Sequence, residues 1–269
     1  MAFNASCRMR GTIQFLGTGA STGVPVIGCQ CAVCTSKDPK NRRLRTGARI
    51  FAKNKELLID ATPDFRQQAL LYDIKAPDAL LLTHTHYDHI GGLEELRVYT
   101  VGGAPPTPCY LSQKSFSNLK KLFYYHFDPK SDDRSFAAEY DFHLLDNRSG
   151  SFDIDDLNVF YFTYSQGEML VTGFRIGGLA YVTDIKQYDE EIFSHLVDLD
   201  VLVLSALRFS PSKMQMTFDE ALSFAKRVQA KKTYLTHLSH EIDNKLSADL
   251  KEDVMIAYDG LQVEFSLER

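Results

Sequence analysis

One short loop rich in metal-binding side chains limits what this chain can fold into. Positions 83 to 89 read Thr-His-Thr-His-Tyr-Asp-His, directly after an apolar run and just before Gly91-Gly92. Packing in a core does not explain this pattern, whereas imidazoles and carboxylates are donors that Zn²⁺ or Mn²⁺ accepts. The alternative, a polar loop with incidental histidines, leaves the preceding strand and the following glycines unexplained. We predict a buried strand followed by a loop whose side chains reach two adjacent metal positions. The candidate ligands in this loop are His84, His86, Asp88 and His89.

A second cluster of metal-binding side chains lies earlier in the chain. Cys29, Cys31 and Cys34 stand close together in a sequence that has 5 cysteines in total. That number is too small for a disulfide-dense secreted scaffold, and closely spaced thiolates in a reducing compartment bind metal more often than they pair. The spacing therefore indicates a metal site, with small buried hydrophobic residues as the alternative.

The composition excludes several other classes of protein. The 269 residues are 44% hydrophobic and 24% charged, which is enough to bury a sizeable core. A net charge of -5 and a pI near 5.9 argue against a surface that grips nucleic acid as a whole. The first ten residues lack the apolar segment of a signal peptide, and no run approaches the ~20 apolar residues of a membrane helix. We therefore expect a cytoplasmic protein without membrane association.

Strand-like and helical patterns mix along the whole chain. Short apolar segments predict strands at 12–16, 48–52, 57–60, 79–83, 159–163, 172–176, 179–183, 201–205 and 233–236. Helical patterns cover 65–72, 115–127 and 218–228, and a Thr217-x-x-Glu220 capping box precedes the last. No linker divides these segments, so we predict a single α/β (α+β) domain over residues 1–269. The polar stretch 131–156 is expected to be a surface excursion.

The loop at 83–92 resembles the metal loop of the metallo-β-lactamase superfamily, and other segments extend the resemblance. Residues 15–19 resemble the first strand and turn of that superfamily, and 58–60 resemble the strand whose Asp braces the metal loop. Residues 180–184 resemble the strand that ends in the bridging Asp, and 234–237 the strand that ends in the last metal His. The resemblance implies a four-layer αββα sandwich with its ligand loops at one edge of the two sheets.

A narrower resemblance is to the phosphoribosyl 1,2-cyclic phosphodiesterase-like branch of this superfamily. It rests on residues 28–34, 38–39, 41–46, 63–68, 207–208 and 257–260. In that branch three Cys and one His hold a structural zinc, and this His lies three residues after the last catalytic-site His. His237 and His240 have that spacing here. The resemblance thus implies one structural zinc, with its loop at about 28–46, held by Cys29, Cys31, Cys34 and His240.

The resemblance also implies one or two catalytic divalent metals, Zn²⁺, Mn²⁺ or Fe²⁺. One would be held by His84, His86 and Asp184, and the second by Asp88, His89, Asp184 and His237. Asp88, Asp184 and His237 are the candidate catalytic residues, because two such ions activate water and clamp a phosphodiester oxygen. Asp60 is predicted to orient a ligand, with a strand-end cap as the alternative.

The chain departs from this branch in its catalytic pocket. Gln166 stands where relatives have a metal-binding His. It is a weak candidate ligand of the first metal, because an amide oxygen binds zinc less strongly than imidazole does. Ser212 and Gln215 stand where relatives have two further histidines, next to Lys213. These residues are candidates for substrate contact, although a solvated surface lysine is the favoured explanation of Lys213. We expect a weakened or altered first metal site.

Arg42 and Arg43 belong to a basic run that has two explanations. Guanidinium groups match the oxygen geometry of a phosphate, so the run could recognise a phosphorylated substrate. The alternative is a structural loop in which these arginines pair with carboxylates.

These residues favour a metal-dependent hydrolase that acts on a small (cyclic) phosphodiester. The alternative is a catalytically weak or inactive protein of the same fold that binds a ligand or a partner, as in relatives from pyrroloquinoline quinone biosynthesis. A tRNA 3′-processing nuclease is a further alternative, disfavoured by the net charge and by the lack of a long RNA-gripping insertion. The expected partner is a small phosphorylated substrate and not nucleic acid, and a homodimer is allowed.

Overall fold

The computed structural model describes residues 9–127 and 137–268, and in these ranges strands dominate. The strands are β1 Arg10–Gly17, β2 Gly47–Ala52, β3 Lys55–Ile59, β4 Ala79–Leu81, β5 Thr107–Ser112, β6 Tyr140–Leu145, β7 Ser149–Ile154, β8 Leu157–Gln166, β9 Met169–Ile176, β10 Leu179–Val182, β11 Val201–Ser205, β12 Lys232–Thr236, β13 Val254–Ile256 and β14 Gln262–Ser266. The helices are α1 Phe65–Tyr72, α2 Tyr87–Ile90, α3 Gln113–Leu122, α4 Tyr124–Phe127, α5 Ile192–His195 and α6 Phe218–Val228.

These strands form two mixed sheets of seven strands each. The first sheet has the order β14-β1-β2-β3-β4-β5-β6, and the second has the order β13-β12-β11-β10-β9-β8-β7. In each sheet one half is antiparallel and the other half is parallel, with β3 to β6 parallel in the first and β10 to β13 parallel in the second. Parallel strands end at the same edge, so each sheet collects the loops that follow its parallel strands.

The apolar strands are buried on both faces, which defines four layers. Along β11, Val201 and Val203 pack between the sheets, whereas Leu202 and Leu204 pack on the outer side beneath α6. Along β3, Leu57 and Ile59 lie between the sheets and Leu58 lies on the outer side, where α1 and α3 cover it. The predicted αββα sandwich is therefore confirmed, and so is the capping box of α6.

The prediction of a surface excursion over 131–156 is wrong for residues 140–154. β6 pairs with β5 at the edge of the first sheet, and β7 pairs with β8 at the edge of the second. Phe152 of β7 stacks on Tyr110, with ring centroids 4.2 Å apart. Edge strands keep one face in solvent, so acidic residues interrupt the apolar pattern. Residues 131–136, in the same stretch, lie outside the described residues.

The helix predicted at 115–127 is two helices, α3 and α4. α3 begins two residues earlier, where the Ser112 hydroxyl accepts a hydrogen bond from the Ser115 N–H. It ends at Leu122, the chain turns at Phe123, and α4 follows.

Three strands end in residues that have a left-handed backbone. Asp60 after β3, Asp184 after β10 and His237 after β12 have φ of 62°, 57° and 57°. A non-glycine residue adopts this conformation at a cost of about 1–2 kcal/mol. All three are among the residues predicted to serve a metal site.

No helix in the described ranges combines the length and apolar character that crossing a membrane requires.

Asp259 links the loop before β2 to the loop before β14 and gives a pH prediction. Its carboxylate accepts hydrogen bonds from the Leu44 N–H and the Thr18 hydroxyl, both 2.7 Å long. Burial raises the pKa of Asp259 to about 7, although the Leu44 N–H opposes the rise. Between about pH 4 and pH 7 the folded chain therefore holds a proton that the unfolded chain has released, and stability falls as pH rises.

We expect Asp259→Asn to remove the pH-dependent part of the stability that comes from this carboxyl group. Urea denaturation at about pH 5 and about pH 8 would show the free energy of unfolding of the wild type falling relative to that of the variant as pH rises. The exposed Asp141→Asn is the matched control and should run parallel to the wild type. Equal pH dependence in Asp259→Asn and wild type would contradict the prediction.

Candidate metal centres

The ends of four parallel strands bring the predicted ligands together at one edge of the sandwich. The loop after β4 supplies His84 and His86, and α2 supplies Asp88 and His89, while Asp184 and His237 come from the second sheet. Within the described residues, donor atoms of two triplets lie within 4.8 Å of one another: His84 with His89 and Asp184, and Asp88 with His89 and His237.

One group of donors is formed by Asp88, His89, Asp184 and His237. His89 Nε2 lies 3.4 Å from Asp88 Oδ2 and 3.3 Å from Asp184 Oδ2. His237 Nε2 lies 3.3 Å from Asp88 Oδ2 and 3.4 Å from Asp184 Oδ1. Ligands of a tetrahedral zinc at roughly 2.0–2.1 Å from the ion are separated by about 3.3 Å. These donors therefore fit one shared cation, and we call the space between them the second metal position.

The charges in this group favour a cation as well. Burial opposes ionisation of Asp88 and Asp184, yet neighbouring imidazoles hold the pKa of both carboxyls below the usual range. Burial also opposes a charge on His89, but Asp184, Asp60 and Asp88 raise its pKa well above the ordinary value. The site thus places ionised carboxylates next to buried imidazoles. A divalent cation would balance the negative charge of the carboxylates and bind the imidazole nitrogens, which protons alone do less well.

Asp60 fixes the orientation of His89. Its Oδ2 lies 2.7 Å from His89 Nδ1, and it also accepts hydrogen bonds from the backbone N–H and the hydroxyl of Thr83. With Nδ1–H donated to Asp60, His89 Nε2 carries a lone pair toward the second metal position. That atom is buried without a hydrogen-bond partner, as expected of a metal ligand. Asp60 thus contacts the strand-end backbone and orients the ring of His89 at once.

We expect Asp60→Asn to weaken metal binding at the second metal position. Asparagine has no charge to support His89, and its amide nitrogen faces the Thr83 donors, so affinity should fall by roughly 10–100-fold. Competition with a fluorescent chelator would measure the change. Asp141→Asn is the matched control, and an unchanged affinity in Asp60→Asn would argue that Asp60 serves only the strand end.

The first metal position is built differently. His84 Nε2 and His86 Nδ1 lie 2.9 Å apart, so two imidazole donors meet there. Gln166, the candidate third ligand, turns its amide nitrogen to Asp184 Oδ1 at 3.1 Å. Gln215 donates from its amide nitrogen to the same oxygen at 2.5 Å. The two glutamines therefore contact Asp184 directly.

The cysteine cluster forms a second, separate centre. The sulfur atoms of Cys29, Cys31 and Cys34 lie 3.2, 3.6 and 3.4 Å from His240 Nδ1. The backbone N–H of Cys34 lowers the pKa of Cys31 to about 6, which favours a thiolate. Burial raises the pKa of Cys34 to about 11, so this thiol needs a metal to ionise near neutral pH. Three sulfurs and one ring nitrogen at these separations fit a closed tetrahedral zinc site.

The structure places the remaining candidates away from both centres or gives them other contacts. Arg43 is buried, and its guanidinium donates to the backbone oxygens of Ser239 and Ile242 and to Asn41 Oδ1. The structural alternative is therefore favoured for Arg43, although its partners are carbonyl and amide oxygens and not carboxylates. Arg42 and Lys213 are exposed.

Ser212 shapes a turn rather than a binding site. Its hydroxyl oxygen accepts hydrogen bonds from the backbone N–H groups of Met214 and Gln215, each 3.2 Å long. The turn leads Gln215 toward Asp184, so Ser212 acts on the site through that residue.

Sequence reasoning missed two buried threonines that support the ligands. The Thr83 hydroxyl lies 3.0 Å from His84 Nδ1, and the Thr183 hydroxyl donates to Asp184 Oδ2 at 2.7 Å. Each immediately precedes a predicted metal ligand at a strand end, and this repeated position is the signal that identifies them.

Comparison with known proteins agrees with this architecture. A family model described as a beta-lactamase superfamily domain matches residues 55–238. The chain is 37% identical to a crystal structure of a diphosphatase from the PhnP family, with a TM-score of 0.88 over 97% of this chain and 99% of that one. Zinc-bound PqqB from Methylobacterium extorquens shares the fold, with a TM-score of 0.73 at 19% identity over 94% of this chain and 99% of that one.

The chain therefore belongs to the metallo-β-lactamase superfamily, as its metal loop predicted. Within the superfamily it is similar over nearly its whole length to that PhnP-family diphosphatase. It is also 32% identical over 252 residues to an octanoyltransferase of Porphyromonas gingivalis, which covers 92% of this chain but 50% of that protein. The chain thus spans about half the length of this relative.

Proposed function

We propose that this protein is a metal-dependent phosphodiesterase that hydrolyses a P–O bond in a small phosphorylated molecule, with a small cyclic phosphodiester as the first candidate. The observation that carries the proposal is the second metal position, where four donor residues from both sheets converge at 3.3–3.4 Å. A cation bound there would lower the pKa of water and offset the charge of a phosphoryl oxygen.

The residues around this position have separable tasks. Asp60 holds His89 in one tautomer, and Thr183 holds one oxygen of Asp184. Asp88 is the donor of the group nearest to solvent, because 12% of its side chain is exposed against 1% for His89 and His237. A substrate would therefore approach past Asp88, and His89 and His237 are shielded from solvent.

The relative at 37% identity supports chemistry at phosphorus. It is described as a diphosphatase, and a diphosphate, like a phosphodiester, presents a bridging oxygen beside anionic phosphoryl oxygens. The likeness to human tRNase Z, at 17% identity, supports the fold alone. The octanoyltransferase relative is twice as long, so its activity is not part of the proposal.

The second candidate is a weak or inactive protein that binds a phosphorylated ligand without turning it over. The observation that favours it is the pair of amides on Asp184, which stand where relatives have histidines. A binding protein of this kind would keep its metal and its affinity for the ligand while showing no hydrolysis.

Hydrolysis assays on the purified chain separate the two candidates. The chain would be loaded with Zn²⁺, Mn²⁺ or Fe²⁺ and offered bis(4-nitrophenyl) phosphate, a nucleoside 2′,3′-cyclic phosphate, a dinucleoside diphosphate and 4-nitrophenyl phosphate. We expect turnover of a diester or diphosphate above that of the monoester, and loss of turnover on chelation. Loaded protein that turns over none of these compounds would overturn the proposal in favour of the binding candidate.

A further inference from the structure

Two buried glutamines hold one oxygen of Asp184, and we call Gln166, Gln215 and Asp184 the glutamine clamp. Gln166 is 4% exposed and Gln215 is 5% exposed, and both amide nitrogens reach Asp184 Oδ1. We infer that the glutamine clamp replaces the first catalytic metal, so that the active centre holds one divalent cation at the second metal position instead of a pair. This inference rests on the proposed function and concerns the same site.

The direction of both amides follows from the charge of Asp184. An ionised carboxylate is an acceptor only, so an amide that touches it must present its N–H₂ group. The amide oxygens of Gln166 and Gln215 are then directed elsewhere, and both are buried without a hydrogen-bond partner. A cation between Gln166 and Asp184 would require the amide to turn over and would cost the existing hydrogen bond.

The lone pairs of Asp184 leave room for one cation. Oδ1 accepts two N–H bonds from the glutamines, which uses both of its lone pairs. Oδ2 accepts the Thr183 hydroxyl at 2.7 Å and has one lone pair left on the side of His89 Nε2, 3.3 Å away. Asp184 can therefore serve the second metal position but no longer bridges to the first.

The first metal position is left with too few ligands. Asp184 lies close enough to His84 and His89 to share a metal with them, but its one free lone pair is needed at the second metal position. With Gln166 also turned away, the remaining donors of the first position are His84 Nε2 and His86 Nδ1. Catalytic zinc sites use three protein ligands, and removal of one leaves binding weak. The second metal position keeps four donor residues, so the two positions should differ strongly in affinity.

The glutamines are positioning residues in this arrangement. Their amides hold Asp184 in place on the side of the first metal position, where an ion would otherwise neutralise and orient the carboxylate. Gln215 reaches Asp184 from the loop after β11. The Ser212 turn fixes the backbone of this loop, and so do the hydrogen bonds that the N–H groups of Phe209 and Ser210 donate to the Glu241 carboxylate. The clamp is therefore supported from both sides, by β8 through Gln166 and by this loop.

Metal content tests the inference without relying on turnover. The full chain would be incubated with excess Zn²⁺, freed of loose metal, and measured by mass spectrometry. We expect about two zinc ions per chain, one in the Cys₃His centre and one at the second metal position. Gln166→His supplies a third imidazole and frees one lone pair of Asp184, so it should raise the count to about three.

Matched variants separate the clamp from a general effect of added histidine. Gln113→His adds an imidazole on the exposed surface of α3 and should leave the count at about two. Gln166→Asn shortens the amide without adding a ligand and should also stay at about two. Electron paramagnetic resonance of Mn²⁺-loaded protein gives a second measurement: we expect an uncoupled signal in the wild type and exchange coupling in Gln166→His.

Three tightly held zinc ions in the wild type, or an exchange-coupled manganese pair, would overturn the inference even if Gln166→His failed to fold. These outcomes are distinct from failure of the proposed function. A chain with two zinc ions and no turnover would refute the phosphodiesterase and leave the single-metal centre intact, whereas an active chain with three would do the reverse.

Discussion

Asp88→Asn should abolish phosphodiester hydrolysis, lowering kcat/KM by about a thousandfold or more. Asp88 Oδ2 lies within 3.4 Å of both His89 Nε2 and His237 Nε2, so it is shared between the two imidazoles of the second metal position. Asparagine keeps the volume but removes the anionic charge, which both binds the cation and faces the substrate. A thousandfold loss corresponds to about 4 kcal/mol of transition-state stabilisation.

The assay would compare diester hydrolysis by wild type, Asp88→Asn and Asp141→Asn at saturating Zn²⁺ or Mn²⁺. Asp141 is a matched control because its carboxylate is exposed and pairs only with the exposed His143 among the contacts described here. Thermal unfolding would establish that Asp88→Asn still folds. An Asp88→Asn protein with activity within tenfold of the wild type would show that hydrolysis takes place somewhere other than the second metal position.

Among the proposed substitutions, His240→Ala should lower the free energy of unfolding the most, because it removes one of the four ligands of the Cys₃His centre. His240 Nδ1 is the donor shared by all three cysteine sulfurs, and a structural zinc contributes its binding energy directly to folding. In zinc-finger peptides this energy is about 10–16 kcal/mol, but here two large sheets retain their own core. We expect a loss of about 3–5 kcal/mol, seen as a fall in Tm of roughly 10 °C.

The same substitution should also weaken the second metal position. His240 lies three residues beyond His237, and the segment between them is held by bonds from the Leu238 N–H to the Thr18 oxygen and from the Ala20 N–H to the Leu238 oxygen. We therefore expect His240→Ala to lower metal affinity at the second metal position as well. His143→Ala is the matched control: it removes a ring that is 43% exposed and stacks on Tyr110, so it should leave the zinc content unchanged. Undiminished zinc content and Tm in His240→Ala would contradict a structural zinc.

The sequence predicts the layers of this fold well because buried parallel strands are continuous apolar runs. Residues 201–205 form β11 as predicted. His84, Asp88 and His89 of the predicted metal loop come together with residues of the second sheet, and His86 lies beside His84. The edge strands β6 and β7 escaped prediction because solvent on one face permits acidic residues that break the apolar pattern.

The finer contacts of the site depend on residues far apart in sequence. That Gln166 would aim its nitrogen at Asp184 follows from a carboxylate 18 positions away, and Gln215 joins them from 31 positions away. The role of Arg43 was likewise undecided, because its partners near position 240 meet it only after the two sheets are assembled. The local sequence pattern identifies which residues can act as donors, and tertiary packing determines which of them contact one another.

The left-handed residues at the strand ends set stability and activity against each other. Asparagine would adopt the backbone of Asp184 with less strain, and its side chain could still bond to Gln166, Gln215 and Thr183, so Asp184→Asn should leave the metal-free chain about as stable as before. The same substitution removes the anionic charge that would face a cation. In a library sorted for abundance asparagine should therefore be tolerated at position 184, and in a library sorted for catalysis it should be depleted.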